Sequence, residues 1–163
     1  MVDEPPSPGG GLTDAEREVW FAWKRAHDVV RSRIADEVAS ATGLSDADTG
    51  ILIRLDEAGG ALRQSVLASQ LGWDRTRLSH QLTRMGSRGL LERTKTTGGV
   101  HVALTSEGRS AIAAARPVHA AAVRRHLLGP AGPRLGGLHR VLERLAARED
   151  SEQVPGSVTP DER

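Results

Sequence analysis

The chain has 163 residues and a mass of 17.4 kDa, with 38% hydrophobic residues, 26% charged residues and a formal net charge of +1. That is one domain's worth of an ordinary soluble composition, able to build a core without staples. No apolar run approaches the roughly 20 residues of a membrane span and no secretory leader is visible, so a cytoplasmic location is expected; the absence of cysteine excludes disulfides, thiolate metal sites and thiol nucleophiles.

Residues 1–11, MVDEPPSPGGG, are rich in Pro and Gly and read as a disordered tail. Thr13-Asp-Ala-Glu16 has the form of a capping box. From there apolar residues recur at 19, 23, 26, 30, 34 and 38, one face of a helix of about 28 residues ending near Gly43. A helix of that length exceeds what a small core wraps, which suggests sharing between subunits. Ser45-Asp-Ala-Asp48 opens a second helix, faced by Ile51, Leu52 and Leu55 and ended by Gly59-Gly60. A short third helix spans about Gln64 to Leu71 and stops at Gly72. A fourth starts after Trp73 with Asp74 as N-cap, buries Leu78, Leu82 and Met85, and ends by Gly89.

The period then changes. Leu90–Lys95 and Val100–Thr105 are β-prone runs on either side of Thr96-Thr97-Gly98-Gly99, and read as a β-hairpin. Thr105/Ser106 opens an Ala-rich helix to Leu128, with a kink expected at Pro117. Gly129-Pro-Ala-Gly-Pro133 breaks the chain. The last helix places Leu135, Leu138, Leu142 and Leu145 on one stripe that calls for another helix. Residues 149–163 read as a disordered acidic tail.

Arg outnumbers Lys by 20 to 2 and Asn and Tyr are missing, a mark of GC-rich codons, so arginine content alone carries no nucleic-acid message. Its distribution does. From Leu62 to Lys95 seven Arg or Lys stand against two acids, whereas Asp36–Glu57 holds six acids against Arg54. Within the basic segment, Ala68 lets two helices approach, Gly72 fits a tight interhelical turn, and Leu67, Leu71, Leu78 and Leu82 hold the crossing. A hairpin directly after the second helix makes this a winged helix-turn-helix. The expected fold is therefore mainly α with a small β-hairpin wing and a helical dimerisation stem.

With Leu78, Leu82 and Met85 inward, Thr76, Arg77, His80, Gln81 and Arg84 are expected outward, where such side chains read base edges. Arg75 serves phosphate or base. Gln64 and Ser65, at the start of the preceding helix, suit phosphate anchoring. Arg93 and Lys95 are the basic candidates of the wing, and His101 is a weaker one.

The runs D-R-T-R-L-S-H-Q-L-T-R-M and L-T-S-E-G-R resemble the recognition helix and post-wing helix of the multiple-antibiotic-resistance-regulator (MarR) family of bacterial winged-helix transcription factors, of actinobacterial type. The resemblance spans residues 12–148, divided into a dimer stem (12–43 and 106–148) and a DNA-binding lobe (45–105). It implies a homodimer that binds palindromic double-stranded DNA, acts as a repressor and is relieved by a small aromatic or anionic effector. No cofactor and no membrane partner is implied. The wing departs from the family pattern, which is longer and carries an Asp-x-Arg-Arg tip; here the tip has no arginine. A winged-helix protein-interaction module with weakened DNA binding is the alternative.

Trp20, Trp23 and His27 are spaced three and four apart on the first helix. They suit either a wall of an effector pocket between stem and lobe or plain core and interface packing. His119, His126 and His139 lack further ligands at metal-binding spacing, so no metal site is expected. Asp46, Asp48, Asp56 and Glu57 fit helix caps and ends better than carboxylate catalysis, and no catalytic constellation can be named.

Overall fold

The computed structural model describes residues 10–150, with side chains to residue 147; both tail assignments lie almost wholly outside this range. Helix α1 (Asp14–Thr42) opens on the Thr13–Glu16 capping box and closes at Gly43 in the left-handed region. It is followed by α2 (Asp46–Glu57), strand β1 (Ala61–Arg63), α3 (Gln64–Leu71), α4 (Arg75–Ser87), β2 (Leu91–Thr96), β3 (Gly99–Leu104) and α5 (Ser106–Val123). A five-residue π-helical turn, Arg124–Leu128, leads through α6 (Gly129–Ala131) and a single 3-10 turn to α7 (Leu135–Asp150).

Two features differ from the sequence reading. α5 runs uninterrupted through Pro117. Pro117 and Ala113 are both exposed, so the carbonyl that proline leaves without an N–H partner faces water. The helical irregularity comes later, at the π turn, and the expected break at Gly129–Pro133 is two short helical turns with Gly132 at φ 48°. The hairpin is also not alone. β1 pairs antiparallel with β3, giving a three-stranded sheet in the order β1-β3-β2. Three residues are too few to show a two-residue period, so β1 carried no sequence signal.

The lobe holds a continuous core. Ile51, Leu52 and Leu55 of α2, Leu67 of α3, Leu78, Leu82 and Met85 of α4, and Val102 of β3 are fully buried together, with Ile112 and Ala115 of α5 closing it. Gly72, at φ 62°, makes the left-handed turn from α3 to α4 that a side chain resists. Gly108 lets the start of α5 lie against the wing base, because a Cβ there would collide with the Leu90 carbonyl.

The stem is different. Among the described residues, α1 buries a single side chain, Val38, although α5 packs along it. Val19, Trp20, Phe21, Trp23 and Val29 of α1 and Leu135, Val141, Leu142 and Leu145 of α7 are all exposed. No described helix is long and apolar enough to cross a membrane.

Candidate nucleic-acid interface

α4 is capped by Asp74, whose side chain accepts from the Arg77 backbone N–H at 2.8 Å. Its inward stripe is Leu78, Leu82 and Met85, so Arg75, Thr76, Arg77, His80 and Arg84 stand exposed. The Arg77 guanidinium lies over the Trp73 ring, 4.2 Å from its centroid. A cation on an aromatic face loses less freedom on meeting a second partner, which preorganises its donor fork.

Gln81 is a correction. It was expected outward, but it is 4% exposed and points at α2. Position 81 lies three residues after Leu78 and directly before Leu82, at the border of the inward stripe. There its amide donates to Asp48 Oδ1 at 2.6 Å, while its carbonyl oxygen accepts from Arg84. A glutamine consumed in this way does not read a base.

Asp48 is the centre of that arrangement. It is 3% exposed and completes the Ser45 capping box, accepting from the Ser45 N–H at 3.0 Å. It also accepts from Arg88 Nη1 at 2.7 Å, and Arg88 reaches on to the Gly43 carbonyl. Burial works against ionisation of Asp48, but the bonds from Arg88 and Ser45 outweigh it and hold its carboxyl below the ordinary range. The sequence signal for Asp48 was its place in a capping box; its grip on α4 was invisible because the partners are 33 and 40 residues away.

Gln64 and Ser65 occupy the first turn of α3, whose N-cap, Arg63, makes no side-chain capping bond. They line a cleft of about 360 Å³ together with Arg63, Arg75, Gly98 and Gly99. Arg93 and Lys95 project from β2 opposite Val102 and Val100 of β3. Both are exposed, and Arg93 Nη2 donates to Thr83 Oγ1 at 3.1 Å, tying the wing to α4. The hairpin turn itself is Thr97-Gly98 and carries no cation. Arg63 carries no local sequence signal for a role, because nothing near it in the sequence shows that β1 lies beside β3.

In the stem, Trp20 stacks on Trp23 with centroids 5.3 Å apart, and Trp23 on His27 at 5.7 Å. Trp23 and His27 line a cavity of about 420 Å³ with Val30, Ile34, Leu138 and Leu142. Arg31 and Asp46 also line it, paired at 2.6 Å between α1 and α2, and His119 enters from α5. Trp20 is separate, beside Leu12 and Val19 in a shallow apolar depression. His126 instead contacts Glu37 at 2.6 Å. Together with Arg125 it holds that carboxyl below its ordinary range, the His126 hydrogen bond contributing most.

No protein-family model and no curated protein sequence matches the chain. Solved structures do. AbsC, a MarR family transcriptional regulator from Streptomyces coelicolor, is 29% identical over 87% of this chain and 99% of its own, with a TM-score of 0.79. Sco3205, a MarR family regulator from the same organism solved in complex with DNA, is 26% identical over 91% of this chain and 92% of its own, with a TM-score of 0.78. The chain is similar in sequence and fold to MarR family transcriptional regulators. CouR from Rhodococcus jostii RHA1, solved with p-coumaroyl-CoA, shares the fold at 22% identity and a TM-score of 0.66, covering 93% of this chain and 100% of its own. In this winged-helix fold the three-stranded sheet is the wing, and α3 and α4 are the helix-turn-helix.

Proposed function

We propose that the chain is a homodimeric, sequence-specific DNA-binding transcriptional repressor. The observation that carries this reading is the outward face of α4, where Arg75, Thr76, Arg77, His80 and Arg84 are exposed and Arg77 is preset on Trp73. In this reading Arg77, His80 and Arg84 meet base edges in the major groove. Gln64 and Ser65 anchor phosphate at the start of α3, and Arg93 and Lys95 flank the backbone from the wing.

The exposed apolar residues of α1 and α7 support a stem between two copies, since monomers rarely leave so many large apolar side chains on two neighbouring helices. Two α4 helices in successive major grooves, about 34–36 Å apart, require a palindromic site. An effector reading also has support: the cavity is walled by apolar residues of the stem, and Arg31 pairs there with Asp46, its one lining residue from the lobe. A planar aromatic acid fits that chemistry, with its ring against Trp23 and its carboxylate competing with Asp46 for Arg31. The reading is supported by two proteins of similar fold, RdhR-CbdbA1625, solved with 2,4-dichlorophenol, and CouR, solved with p-coumaroyl-CoA.

The test is selection of genomic fragments by the purified chain at moderate salt, followed by affinity against random DNA of equal length. A preference of about 10³ or more, on a fragment carrying an inverted repeat, is expected. Weak binding without preference would move the function to a protein-interaction module, the reading favoured by a wing turn that holds no cation of its own.

A further inference from the structure

The Thr97-Gly98 turn has no basic side chain, yet a guanidinium stands beside it. Arg63 ends β1 opposite His101 of β3. Its side chain extends to the turn, so that Nη2 would lie 3.0 Å from a Cβ placed on Gly98, and Cζ 3.4 Å. Any larger residue at 98 would have to push it away. Arg63 is exposed, and among the described residues no carboxylate lies within ion-pair distance of it. It shares the cleft of about 360 Å³ with Arg75 and Ser65, with Gly98 and Gly99 in the same lining.

We propose that Arg63 is a further DNA contact of the wing, a phosphate-binding cation lent to a turn that lacks one. This rests on the DNA-binding reading and assigns it a residue. A planar guanidinium with no internal carboxylate keeps its donor fork free for a phosphate. The missing side chain of Gly98 lets the guanidinium lie against the turn, and Arg75 places a second positive charge on the same cleft. The wing then holds the backbone through β1 as well as through Arg93 and Lys95 of β2, and not through its turn.

The experiment uses the full chain, its selected DNA fragment and random duplex of equal length, over a salt series. Arg63→Gln is expected to weaken both duplexes alike, by about 5–20-fold, and to reduce the slope of log affinity against log salt by about 1 per protomer. Arg63→Lys, which keeps the charge, should restore the slope and most of the affinity. Unchanged binding by Arg63→Gln, with the wild type binding normally, overturns the role of Arg63 and leaves the DNA reading standing. A loss confined to sites with A·T-rich flanks, not rescued by Lys, overturns the phosphate assignment in favour of minor-groove readout. A wild type that binds neither duplex sinks both readings at once. Melting temperatures equal to wild type exclude a folding effect.

Discussion

Asp48 accepts three hydrogen bonds in a nearly dry site, and its removal leaves the partners unequal. Arg88 is 45% exposed and can turn to water, so losing that pair costs about 0–1 kcal/mol. The Ser45 N–H loses one bond, worth about 0.5–1.5 kcal/mol net. Gln81 is buried and has nowhere to turn, and a stranded amide donor costs about 1–3 kcal/mol. Asp48→Ala is therefore expected to cost about 2–4 kcal/mol, after allowing for the burial penalty recovered with the charge. Urea unfolding followed by far-UV circular dichroism measures it. The decisive comparison is with Gln81→Ala and the double variant: once Asp48 is gone, removing the stranded amide should cost little more, a coupling of about 1–2 kcal/mol. Strict additivity, or a single-variant loss below about 1 kcal/mol, would refute the claim that Asp48 anchors α4 through Gln81. The pH dependence has a defined sign. The folded pKa of Asp48 is depressed, so its contribution is full above the unfolded value of about 3.9 and fades as pH falls through the folded value. Wild type and Asp48→Asn should converge in stability only at the acid end.

Three further outcomes are expected. Arg77→Ala should weaken binding to the selected fragment by about 1–3 kcal/mol and relax its sequence preference; an equal loss on random DNA would make Arg77 a phosphate contact. Gly108→Ala should destabilise the fold by about 1–3 kcal/mol in urea melts, because the Leu90 carbonyl must move, and an unchanged midpoint would show that the wing base yields freely. Deleting residues 134–163 should convert the protein to a monomer in sedimentation, and a truncated chain that remains dimeric would remove α7 from the interface.

The parts of the fold legible in the sequence were those written locally. Thr13, Ser45 and Asp74 mark helix starts by capping chemistry, and Gly43 and Gly72 mark stops, so four helices of the lobe and stem fall almost where expected. The apolar stripe of α4 was equally plain and fixed which face holds Arg77. Gln81 escaped because a polar residue at the border of a buried stripe looks outward until its partner, a distant buried acid, is known. β1 escaped because it is three residues long and exists only by pairing with β3. The reach of Arg63 to the wing turn follows from that pairing and was hidden with it. The cavity takes Trp23 and His27 from α1 but not Trp20, and Arg31 and Asp46 meet across the α1–α2 junction, which no periodicity describes.

The bare flank of α7 bears on how the protein melts. From 135 to 147 no side chain of that helix is buried, and a helix of 16 residues is marginal in water by propensity alone. Its order is therefore borrowed from whatever covers it. The lobe carries its own core and should unfold at a temperature independent of protein concentration, whereas a stem covered by a second copy should gain stability with every increase in protomer concentration. Dilution alone would then fray one end of the molecule while leaving the other folded.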